Sequence, residues 1–133
     1  MSKIAFCFPG QGSQRVGMGR ELAAAYPEAA AVYEEASDEL GFDVAKLCFE
    51  GPLDQLSQTE LTQPALVATS LAALRAIQTR LGVQPDVVVG HSVGEYAAIA
   101  AADSVGGHRT IHGSNLDAPP MTGHAANVRV GFR

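Results

Sequence analysis

Cysteine is scarce in this 133-residue sequence, which holds only Cys7 and Cys48. Two cysteines so far apart cannot build a disulfide framework. Each sits in an apolar stretch, so both are expected to be buried free thiols with no redox or metal role. Basic charge is also thin. Nine Lys and Arg stand against fourteen Asp and Glu, for a net charge of −5. That balance argues against nucleic acid as a partner, because binding it needs a basic surface. Long apolar runs are missing as well: none approaches the ~20 residues that span a bilayer, so no membrane association is expected. The opening Met1-Ser2-Lys3 lacks the basic stretch and long apolar region of a secretory signal, and Ile4 to Phe8 runs directly into Pro9-Gly10. A cytoplasmic protein is expected.

What is present reads as α/β sequence over residues 1–102. Ile4 to Phe8 and Val87 to Val89 are short continuous apolar runs, the pattern of parallel strands covered on both faces. Pro27 suits the first turn of a helix in which Val32, Tyr33, Ala36 and Leu40 share a face and Gly41 is the stop. Pro64 is expected to open a longer helix, with Val67, Leu71, Leu74, Ile77 and Leu81 as its stripe and Gly82 as its end. A sharp turn after the second strand leads into an alanine-rich helix from Val93 to Ala102. The plan is doubly wound around a parallel sheet.

From Asp103 the pattern stops. Residues 103–133 hold three of the four histidines, five glycines and two prolines, with no Lys or Glu and one leucine, Leu116. No strand or helix period is expected there, which leaves two clear strands in the chain. Such a shift marks either a disordered tail or sequence that is not the natural continuation, such as a reading-frame change. The second reading is preferred, because the break falls inside a helix that was proceeding normally. His108 and His112 have i, i+4 spacing, but Gly106-Gly107 spoils a helix and no Glu or Cys stands nearby, so no metal site is expected.

The chemistry is concentrated in Gly90-His91-Ser92-Val93-Gly94, a G-x-S-x-G nucleophile elbow entered from a strand and left by a helix. The turn is too tight for side chains at positions 90 and 94, hence glycine. Ser92 is expected to stand exposed at the strand's carboxyl end, near a helix N-terminus that favours developing negative charge. The backbone N–H of Val93 is a candidate oxyanion donor. A second glycine-rich run, Pro9-Gly10-Gln11-Gly12-Ser13-Gln14, follows the first strand. It lacks the Gly-Lys-Ser/Thr ending of a P-loop and misses the G-x-G-x-x-G register. As a loop at a strand's carboxyl end it suits a site wall, with an N–H near Gln11 as the second oxyanion donor; an ordinary strand-to-helix turn is the alternative.

Taken together, Phe8-Pro9-Gly10-Gln11-Gly12-Ser13-Gln14, Gly17-Met18-Gly19, Thr62-Gln63-Pro64-Ala65 and Gly90-His91-Ser92-Val93-Gly94-Glu95-Tyr96 resemble the malonyl-CoA:acyl-carrier-protein transacylases, in order and separation. The resemblance covers residues 1 to about 102. It implies an incomplete α/β-hydrolase-like acyltransferase core: 1–102 as the N-terminal part of the large subdomain, 103–133 as an irregular tail, and no ferredoxin-like small subdomain. It further implies that Ser92 carries malonyl from coenzyme A to the phosphopantetheine thiol of acyl carrier protein. Malonyl-CoA is then a substrate, acyl carrier protein a partner, and no cofactor is needed. Gln11 and Val93 become the oxyanion hole, Gln63 and His91 pocket residues, and Glu95 a structural residue. The family's base histidine lies in a downstream region beyond this chain. Its carboxylate-binding arginine, about 25 residues past the nucleophile, falls here on Asp117, with Arg109 and Arg129 the nearest arginines. Weak transfer activity is therefore expected. A serine esterase with the same elbow, or a non-catalytic fragment that binds carrier protein, are the alternatives. Met1 two residues before the first strand suggests a free-standing enzyme.

Overall fold

A computed structural model of the chain describes residues 2–103 and the backbone of residues 111–113. Strand β1 (Ala5–Phe8) lies parallel to β2 (Val87–Gly90), with Ala5 opposite Val87 and Phe8 opposite Gly90. Five helices connect them: α1 (Arg20–Ala25), α2 (Pro27–Leu40), α3 (Val44–Glu50), α4 (Leu53–Leu56) and α5 (Thr59–Leu81). Helix α6 (Gly94–Asp103) follows β2, and the chain then adds β3 (Ile111–Gly113), parallel to β2 with Val88 opposite Ile111. The sheet order is β1-β2-β3.

Strand β3 corrects the expectation of only two strands; it falls within the stretch expected to be an irregular tail. Its three residues show no period of their own; the outer edge of β2 recruits them by backbone pairing. The rest of the expected tail, including His108, Arg109, Asp117 and Arg129, lies outside the described residues.

The α/β class with parallel strands holds, but the sheet is layered unevenly. Phe8, Val88 and Gly90 are buried on one face, whereas Ala5 and Cys7 on the other are exposed. The expected coverage of both faces therefore fails at β1 among the described residues, and with it the burial of Cys7; Cys48 is buried as expected. Helix α6 packs on all three strands and against α5. Its Ala97, Ala98, Ala101 and Ala102 are buried, and side chains this small let helix and sheet approach closely.

Most of the core sits among the helices. Val32, Tyr33, Val44, Cys48, Leu56, Ala65 and Ala72 are essentially inaccessible. Tyr33 donates its hydroxyl to Thr69 Oγ1 at 2.8 Å and meets the Phe49 ring edge-on at 5.0 Å. Burial pushes the Tyr33 phenol up to about 12 and the Cys48 thiol up to about 11. Arg80 clasps Glu28 through two hydrogen bonds of 2.5 and 3.1 Å, joining α5 to α2 and holding the Glu28 carboxyl below its usual range. Helix α2 matches its expected span, with Gly41 in the left-handed conformation as its stop. Leu40, expected in the apolar face, is exposed instead. Helix α5 begins at Thr59, so Pro64 lies inside it and does not open it. Its buried stripe is rich in alanine, and Ile77 and Leu81 point outward.

Candidate active site

The two glycine-rich segments leave the carboxyl ends of adjacent strands and press against each other. The His91 amide donates to the Phe8 carbonyl at 3.0 Å, extending the β1–β2 ladder into the elbow. The elbow then closes through Gly94 N–H to His91 O and Glu95 N–H to Ser92 O, both at 3.0 Å. Its glycines are steric necessities. A Cβ on Gly94 would fall 2.7 Å from Pro9 O and nearer still to Phe8 O, and one on Gly10 would fall 2.5 Å from His91 O. A Cβ on Gly90 would strike the backbone of Gly94 and Glu95.

Ser92 has φ of 55°, and it is the one non-glycine residue with positive φ among those described. Left-handed backbone at a serine costs on the order of 1 kcal/mol or more and persists only where surrounding structure enforces it. The consequence is that Ser92 is exposed at the strand end while its neighbours Val93 and Gly94 are buried. This is the arrangement a nucleophile elbow requires.

The loop opposite is fixed from within and from outside. Ser13 N–H donates to Gly10 O at 3.3 Å, and Gly12 N–H donates to Gln14 Oε1 at 2.7 Å. Gln11 reaches away from β1 and donates through Nε2 to Thr59 Oγ1 at 3.1 Å, at the first residue of α5. Gln63, also exposed, stands one turn further along that helix.

Gln11, His91, Ser92 and Val93 thus lie on the two touching loops, and Gln63 is tied to them through Thr59. Thr59 had no sequence signal, since a hydroxyl side chain at the start of a helix is too common to single out; Gln14 belonged to the second glycine-rich run, but its bond to Gly12 was not foreseen. Among the described residues no group of three His, Cys, Asp or Glu could hold a metal ion, and no helix is long and apolar enough to cross a membrane.

Comparison with known proteins agrees with this geometry. Residues 5–111 match the acyl transferase domain family. The malonyl CoA-acyl carrier protein transacylase of Bacillus subtilis (strain 168) is 47% identical over 105 residues, 79% of this chain and 33% of that protein. Its Escherichia coli (strain K12) namesake is 46% identical over 102 residues, 77% of this chain and 33% of that protein. Among solved structures, an acyl carrier protein S-malonyltransferase from Vibrio cholerae is 50% identical with a TM-score of 0.73, over 77% of this chain and 33% of that one. A malonyl-transacylase solved in complex with a type II polyketide synthase acyl-carrier protein is 46% identical with a TM-score of 0.73, over 76% of this chain and 33% of that one. The chain spans about a third of the length of these relatives. A family match across most of the chain, running through both glycine-rich loops, makes this chain a member of the acyl transferase domain family.

Proposed function

We propose that the chain carries the acyl-accepting half of a malonyl-CoA:acyl-carrier-protein transacylase site, with Ser92 as nucleophile. The observation that carries this reading is the left-handed backbone of Ser92, held in an elbow wedged against the β1 loop. In the first half-reaction the Ser92 oxygen bonds to the malonyl thioester carbon, the C–S bond breaks, and coenzyme A leaves as thiol with the proton the serine gives up. In the second, the phosphopantetheine thiol of acyl carrier protein attacks the seryl ester, and Ser92 regains a proton as the ester bond breaks. Both steps pass through a tetrahedral oxyanion, for which the backbone N–H groups of Gln11 and Val93 are the proposed donors. Gln63 and His91 line the acyl pocket in this reading. The thioester supplies the activation, so no cofactor enters, and substrates of this kind put the reaction in the cytoplasm. We also propose that residues 1–102 form the N-terminal part of the large acyltransferase subdomain.

The test is intact mass spectrometry of the purified chain after incubation with malonyl-CoA. One malonyl group should be gained and should map to the Ser92 peptide; an adduct on Ser13 or Cys7, or one that survives Ser92→Ala, would sink the assignment. Acyl carrier protein and water as competing acceptors then separate a transferase from an esterase.

A further inference from the structure

We propose that Thr59 is a positioning residue for the acyl-transfer site: its hydroxyl anchors the Gln11 side chain and thereby sets the backbone of the loop that faces Ser92. The inference rests on the roles given above to Ser92 and to the Gln11 backbone.

Three observations carry it. Gln11 Nε2 to Thr59 Oγ1, at 3.1 Å, joins residues 48 apart in sequence and ties the β1 loop to α5. Within residues 9–14 the other fixings described are the close approaches of Pro9 to Gly94 and of Gly10 to His91, both on the elbow side, and two short-range bonds within residues 10–14. Thr59 therefore clamps the side of the loop that the elbow does not touch. Helix termination does not account for the hydroxyl. Gln58 is the N-cap of α5 and makes no side-chain capping bond, and the Thr59 hydroxyl is turned to the loop.

The mounting suits the task. Thr59 begins a 23-residue helix that packs on α2 and on α6, the helix that leaves the nucleophile. The two sides of the site are thus referred to one rigid element. Gly12, next to Gln11, has φ of 107° and open space around it, so its backbone would not hold this turn by sterics alone. An oxyanion donor displaced by a fraction of an ångström loses much of its value, because donor distance and direction both matter. Gln63 stands one turn from Thr59, so the same bond keeps the loop beside the proposed pocket residue.

The test uses the full chain and an alkyl fluorophosphonate. The Ser92 oxygen bonds to phosphorus, the P–F bond breaks, and fluoride leaves together with the serine proton, while the phosphoryl oxygen occupies the oxyanion position. The labelling rate is read by mass spectrometry of the Ser92 peptide. Thr59→Val should slow labelling roughly three- to tenfold, the span expected for one hydrogen bond, with the melting curve unchanged. Thr59→Ser should restore the rate to within about twofold. Gln11→Leu should slow labelling by a similar factor, and the double variant Gln11→Leu/Thr59→Val should be no slower than the slower single one. If wild type labels at Ser92 but Thr59→Val matches it, or Thr59→Ser is as slow as Thr59→Val, or the two effects multiply, the positioning role is wrong and the proposed function stands. Should Thr59→Val fail to fold, the Thr59→Ser and Gln11→Leu rates decide. Absence of any label on Ser92 in wild type would remove the nucleophile assignment and this inference with it.

Discussion

The carbonyl of Phe8 accepts the amide of His91 at 3.0 Å, so the residue before Ser92 is hydrogen-bonded to the residue that ends the first strand. Gly94 passes directly beneath the same carbonyl, too close for any side chain. One backbone oxygen therefore sets the spacing of both site loops.

Ser92 should trade stability for reactivity. Ser92→Gly relieves a left-handed conformation that serine tolerates poorly, and the variant should be as stable as wild type or more stable, by up to about 1 kcal/mol. It should form no malonyl or phosphonyl adduct. Urea denaturation of both proteins checks this; a loss above about 1 kcal/mol would mean that the backbone is not strained there.

Gly94→Ala should be far costlier than Gly41→Ala. At Gly94 the new methyl meets backbone carbonyls of Phe8 and Pro9 that cannot rotate aside, so a loss above about 2 kcal/mol is expected, together with loss of Ser92 labelling. Gly41 has φ of 75° but empty space around it, so only a conformational cost of about 1 kcal/mol applies. Equal denaturation midpoints for the two variants would contradict the close approach of the loops.

The two thiols should behave differently. A thiol-modifying reagent should label one cysteine, Cys7, in native protein and two in denatured protein, because Cys7 is exposed and Cys48 is fully buried. The sign of the pH effect follows from burial. The Cys48 thiol is raised to about 11 in the fold, whereas an unfolded thiol ionises near ~8.5. The neutral thiol is favoured by the fold, so its contribution is full below pH ~8.5 and is lost as pH rises through about 11. Tyr33 adds a loss in the same direction at higher pH. Denaturation midpoints measured from pH 7 to pH 11 should stay level and then fall; a midpoint still level at pH 11 would contradict the burial.

Lysine at the exposed edge should improve behaviour in solution. Ile4 and Phe8 accept from Val87 and His91, so in a parallel ladder the intervening Ala5 and Cys7 direct their backbone groups away from β2. Such an edge templates further strands unless charge blunts it. Ala5→Lys should raise the monomer fraction in size-exclusion chromatography at unchanged melting temperature. An equal or smaller monomer fraction would show that association uses another surface.

Legibility of the sequence followed how local each determinant is. Pro27 and Gly41 bracket α2 because first-turn proline and left-handed glycine act within a few residues. The elbow was legible for the same reason, since its glycines answer clashes inside one turn and with one neighbouring strand. Pro64 misled, because proline is tolerated inside a helix when tertiary packing outweighs one lost hydrogen bond. Leu40, Ile77 and Leu81 look like core by type, but nothing among the described residues covers them fully. Strand β3 was illegible because pairing with β2, and not its own residues, makes it a strand. The Gln11–Thr59 bond spans 48 residues and left no trace in either motif.

The pairing of β1 with β2 also has a consequence for the order in which the site is assembled. Ile4 N–H reaches the Asp86 carboxylate across 82 residues, and every rung of that ladder closes a loop of about that length. The intervening helices make mostly nearer contacts and can organise first, as low-contact-order structure does. On a ribosome β1 emerges before β2 and must wait for nearly the last described elements before it finds its neighbour. The serine turn, whose geometry depends on Phe8 and Pro9, is therefore a late product of folding. Pulse-labelled hydrogen exchange during refolding should protect α2 and α5 amides before that of His91.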